Sequence, residues 1–132
     1  MEESIAAVLS GRRVASLAGG DRLLVRLDGG LELTVENDFR LGHDGEVEHF
    51  YPALGLSPAG ALARLTAALV TTARITPAGG LQLAFDSGHT LTVAPDPAPG
   101  THPVHPWQLA SPDGPLFTGG PGGDPGSDPA FP

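Results

Sequence analysis

Between residues 22 and 36 apolar and polar positions alternate twice, with Leu23, Val25 and Leu27 opposed to Leu24, Arg26 and Asp28, then Leu31, Leu33 and Val35 opposed to Glu32, Thr34 and Glu36. A period of two puts each set on one face of a strand, and Asp28-Gly29-Gly30 between the runs supplies the positive φ of a tight turn, so the segment predicts a β-hairpin. Residues 80–94 repeat the pattern: Leu81, Leu83 and Phe85 precede a turn at Asp86-Ser87-Gly88, and His89, Leu91 and Val93 return, with Gln82, Thr90 and Thr92 facing water. Aligning Leu23 on Leu81 matches Val25, Leu27, Asp28, Gly30, Leu33, Thr34 and Val35 to Leu83, Phe85, Asp86, Gly88, Leu91, Thr92 and Val93, an offset of about 58 positions. The pattern predicts one small β-unit present twice.

A strand candidate precedes each hairpin, residues 12–18 around Val14 and Leu17, and residues 69–76 around Val70, Ala73 and Ile75. Ser57-Pro58 is a helix start signal, because serine accepts from free N–H groups and proline loses nothing at the first helical position. Leu62, Leu65 and Leu69 follow at helical spacing, which predicts a helix over 58–67, and Ile5, Val8 and Leu9 predict a counterpart over 2–9. Residues 37–56 read as an acidic connection with one strand at 45–51. Pro95 to Pro106 is an extended proline-rich approach to a last strand at Trp107-Gln108-Leu109, which turns at Pro112-Asp113-Gly114 into Leu116 and Phe117. The expected architecture is mainly β: two helix-plus-three-strand meander units, about 1–56 and 57–118, form one curved, partly closed antiparallel sheet covered by short helices. Residues 119–132, made of Gly, Pro and Asp with almost nothing to bury, are expected to be a disordered tail.

At 132 residues the chain is long enough to bury a core without metal or disulfide help. The absence of cysteine removes structural disulfides and thiolate metal sites. Seven arginines, no lysine and fifteen acidic residues give a net charge of −8, which argues against nucleic acid or an anionic membrane as partner and favours a cationic one. Met1-Glu2-Glu3 lacks a basic leader region and no apolar run spans a bilayer, so a soluble, cytoplasmic protein is expected.

The chemistry-bearing residues fall into two groups. Glu36, Asp38, Asp44, Glu46 and Glu48 form an acidic run that either docks a basic partner through complementary potential or is simply a solvated face. His89 takes the inward place of Leu31 beside a turn, and with His105 and Trp107 it could line the mouth of a small-ligand or metal-binding barrel; the plain alternatives are a rim histidine and a tryptophan that covers the core. His102 and His105 lie at short spacing, with His43, His49 and His89 elsewhere, but neither HExxH nor a cysteine pair supports a metal site, so no metal or other cofactor is assigned. Gly-x-Ser-x-Gly is missing, and Gly119 to Gly123 leads into prolines instead of a helix with lysine, so neither a serine hydrolase nor a phosphate loop is read.

Leu9-x-Gly11-x-x-Val14, the Gly80-Leu81-x-Leu83-x-Phe85-Asp86-x-Gly88-x-x-Leu91-x-Val93 stretch, the Trp107 strand and the Asp113-Gly114 turn together resemble an uncharacterised family of small actinobacterial proteins classed as a domain of unknown function. The resemblance implies a fold and no catalytic residue. Charge and motif content lead to a non-enzymatic acidic binding protein, an immunity-like inhibitor of a basic toxin or enzyme, with the small-ligand barrel as alternative. Pairing of two copies through sheet edges is a further expectation.

Overall fold

The computed structural model describes residues 4–52, 55–57, 60, 62–77, 79–94 and 106–118. Helix α1 (Ile5–Leu9) opens the chain, capped by Ser4, whose Oγ accepts from the Ala7 N–H at 3.1 Å. Ten strands follow: β1 (Val14–Ala18), β2 (Leu23–Leu27), β3 (Leu31–Val35), β4 (Phe39–His43), β5 (Glu46–Phe50), β6 (Val70–Ile75), β7 (Leu81–Phe85), β8 (Thr90–Val93), β9 (Trp107–Ser111) and β10 (Gly114–Thr118).

The strands form two antiparallel five-stranded sheets, ordered β1-β2-β3-β9-β10 and β5-β4-β8-β7-β6, which replaces the expected single curved sheet. In each, three sequential strands lie side by side and a hairpin from the other half of the chain extends them: β9–β10 joins β3, and β4–β5 joins β8. The two sheets touch through backbone at one corner, where Val14 N–H donates to Ala68 O and Val70 N–H to Arg12 O, both at 2.8 Å. At the chain crossing between them Asn37 is buried, and its Nδ2 donates to Ala94 O at 2.8 Å.

Both predicted hairpins form in the register their alternation requires, with Val25 opposite Leu33 and Leu83 opposite Leu91. Their inward residues, together with Leu9, Leu62, Leu65, Trp107 and Leu109, make the core. The helix expected over 58–67 is reduced to a 3-10 turn at Leu62–Leu65, with residues 58, 59 and 61 outside those described. One turn is enough to bury Leu62 and Leu65. The acidic connection is a regular hairpin: Phe39 and Leu41 point into the core, and Asp44 (φ 58°) and Gly45 (φ 84°) make its two-residue turn, the positive-φ pair that matches strand twist. His102, His105 and the 119–132 tail lie outside the described residues. No helix among the described residues is long and apolar enough to cross a membrane.

Candidate functional site

Strand alternation and register set the inward side chains of β7, β8, β4 and β5 in three rows. The first is Leu81, Val93, Phe39 and Phe50, closed by stacking of Phe39 on Phe50 at 5.0 Å. The second runs Leu83, Leu91 and Leu41, then ends in Glu48. The third begins at Phe85 and continues as His89, His43 and Glu46; Phe85 N–H donates to His89 O at 3.0 Å, and His43 pairs with Glu46. One corner of an otherwise apolar face is therefore polar.

The first sheet shows that two positions of this corner need not be polar. There the second row reads Leu17, Val25, Leu33, Leu109 and Phe117, apolar across all five strands. Phe117 is 8 % exposed where the second sheet carries exposed Glu48, and Leu31 stands where His89 does.

At the polar corner a recess of about 160 Å³ is lined by Leu41, His43, Glu46, Val47, Glu48, Arg64 and His89. Arg64 is carried by the 3-10 turn. The imidazoles of His43 and His89 stack with centroids 4.2 Å apart, and His43 covers His89, which is 4 % exposed. Burial pushes the His89 imidazole below its ordinary value of 6.5, and the nearby His43 and Arg64 push the same way, so His89 is neutral at pH 7. Its Nδ1 lies 2.8 Å from Ser87 Oγ. Among the described residues Nε2 has no hydrogen-bond partner and no buried side-chain polar atom lacks one, so Nε2 is accessible, and His89 is one of the residues that line the recess.

The Ser87–His89 contact spans the Asp86-Ser87-Gly88 turn. Among the described residues no three His, Cys, Asp or Glu side chains group closely enough to hold a metal ion.

The acidic residues are dispersed. Glu46 and Glu48 face the recess, and Asp44 makes the hairpin turn. Asp38 lies on the opposite face of the sheet, in a shallower cleft of about 90 Å³ with Arg40, His49, Tyr51 and Thr92. Glu36 sits in the first sheet's strand exit, 3.9 Å from Arg22 Nη1. Trp107 does not join His89: it is fully buried on β9, and its Nε1 donates to Gly79 O at 3.0 Å, tying β9 to the β6–β7 turn. From sequence His43 entered only among the scattered histidines of a weak metal reading, and Arg64 was not singled out. Alternation from Phe39 through Leu41 could have placed His43 inward, whereas Arg64 reaches the recess only through the tertiary position of the 3-10 turn.

The edges of the two sheets differ. β1, β6 and β10 each carry a break in register, between Val14 and Ser16, Val70 and Thr72, and Pro115 and Phe117, and β10 also holds Pro115. β5 pairs with β4 without a break over all five of its residues, from Phe39 opposite Phe50 to His43 opposite Glu46. Bulges and proline blunt an edge against further pairing. In a two-residue hairpin the closing pair exchanges both hydrogen bonds and pairs then alternate, so Glu46, Glu48 and Phe50 bond to β4 while the N–H and C=O groups of Val47 and His49 point outward. Val47 and Tyr51, 55 % and 46 % exposed, stand along the same strand and its exit.

A family model described as "Family of unknown function (DUF6188)" matches residues 5–125. No curated protein and no solved structure matches the chain.

Proposed function

The chain belongs to DUF6188, a family of unknown function, and we propose that it is a non-enzymatic binding protein whose β5 edge accepts an extended, basic segment of a protein partner. The observation that carries this reading is the contrast among edges: three are broken, and β5 alone among them is regular and flanked by exposed Val47 and Tyr51. Strand addition draws affinity from main-chain hydrogen bonds and specificity from alternate side chains. The net charge of −8 and the Glu46 and Glu48 carboxylates beside the edge favour a cationic segment and speed its encounter. A second copy pairing β5 to β5 sets acidic strands against each other, which is unfavourable. An inhibitory, immunity-like role against a basic toxin or enzyme fits such an edge. The common order of strands in the two sheets supports two related units whose closing hairpins are exchanged.

Val47→Pro tests the reading, because it removes an outward N–H and no bond to β4. Full-length wild type and variant are immobilised and exposed to source-organism lysate at low and high salt, and retained proteins are identified by mass spectrometry. A stoichiometric basic protein held by wild type, released by salt and not held by Val47→Pro is the expected result. Equal retention by Val47→Pro overturns the edge as the docking site.

A further inference from the structure

We propose that the recess beneath the β4–β5 hairpin is a guanidinium pocket that takes an arginine side chain of the strand docked on β5. The inference rests on the docking reading above and adds what the edge selects. Its first support is the comparison between sheets: the first sheet has buried Leu31 and Phe117 where the second has His89 and Glu48, so polarity at these two positions is not required by the strand pattern. At about 160 Å³ the recess is smaller than the roughly 300–1,000 Å³ of drug-sized ligand sites and has room for the end of one side chain.

Charge sets the sign of the ligand. Two carboxylates, Glu46 and Glu48, face one guanidinium, Arg64, and none of the three has an ion-pair or hydrogen-bond partner among the described residues. His89, which lines the same space, adds an accessible Nε2; when Nδ1–H donates to Ser87 Oγ, Nε2 offers a lone pair to an N–H donor. Geometry sets the group. A strand added to β5 places alternate side chains beside Glu46 and Glu48, within about 5.5 Å between Cβ atoms. A planar guanidinium there forks onto a carboxylate and stacks on the face of His43 turned away from His89, which a compact ammonium does less well.

The test is an NMR titration of the full chain with N-acetyl-arginine methylamide, followed at the ring C–H resonances of His43 and His89, with the lysine and norleucine analogues as controls. Saturable shifts of both rings are expected, with binding about tenfold weaker or worse for the lysine probe and for Glu46→Gln/Glu48→Gln. The absence of a saturable shift, or shifts reproduced by the norleucine probe, overturns the pocket. Val47→Pro separates this inference from the docking reading, because it blocks the edge and, although Val47 is one of the lining residues, keeps every charged and imidazole side chain of the recess. Partner retention lost in Val47→Pro with no arginine titration in wild type overturns the pocket and keeps the edge. Arginine titration with retention unaffected by Val47→Pro overturns the edge and assigns the pocket to a free guanidinium.

Discussion

Replacing Trp107 by Phe removes a tie between the two sheets, and its cost can be worked from two terms. The indole is fully buried and its Nε1 donates to Gly79 O at 3.0 Å. Losing that bond costs about 1 kcal/mol net, and more when the carbonyl is left dry. The smaller ring leaves a void among residues fixed by two sheets, which adds about 1 kcal/mol, well below the ~3–5 kcal/mol of a full truncation to Ala. The sum is about 2–3 kcal/mol, or a fall in Tm of roughly 8–12 °C for a domain of this size. Because Trp107 is the only tryptophan, urea unfolding is followed by far-UV circular dichroism. Benzothienylalanine at position 107 keeps the bicyclic shape without the N–H and should lose about 1 kcal/mol. A loss under ~0.5 kcal/mol for Trp107→Phe refutes the claim that this side chain ties the sheets.

Three further outcomes follow from the same structure. Well above pH 6.5 His89 is neutral in both the folded and the unfolded chain; as pH falls through 6.5 the unfolded chain takes up the proton first, since burial and then His43 and Arg64 depress the folded value. Wild type therefore loses stability from pH 6.5 down through the folded value, and His89→Leu should flatten that part of the urea midpoint profile. Gly30→Ala should destabilise more than Gly11→Ala by Trp107 fluorescence in urea: both glycines have φ near +80°, costing roughly 1–2 kcal/mol for alanine, but only at Gly30 does the new Cβ meet Pro112 Cγ, at 2.7 Å. Glu46→Lys/Glu48→Lys should stay within about 0.5 kcal/mol of wild type, since both side chains are exposed, while losing salt-sensitive retention of the partner.

Period-2 alternation was sufficient for β2, β3, β7 and β8 because each has an apolar face of two or three residues and a glycine turn that fixes register. β4 escaped the same reading: Phe39 and Leu41 are its two buried apolar residues, and the acidic residues around them dominate the composition. The exchange of hairpins between sheets was not legible, because alternation specifies which face a residue occupies and not which strand lies beside it. At the site, aligning the two alternating segments set His89 in the place of Leu31. Its meeting with His43, Glu46, Glu48 and Arg64 depends on β4 lying between β8 and β5, a pairing of β4 with a strand about 50 residues further along that no local pattern encodes. Trp107 looked like a residue at a mouth because it follows a proline-rich approach, and its burial is set by the far sheet's Gly79 carbonyl.

Amide hydrogen exchange of the free full-length chain, resolved residue by residue along β5, tests the open edge most directly. The account predicts an alternation: Glu48 and Phe50 exchange slowly through their bonds to β4, Val47 and His49 exchange rapidly, and the latter two become protected when a captured basic partner is added. Protection of Val47 and His49 in the free chain, or no change at either on partner binding, contradicts it.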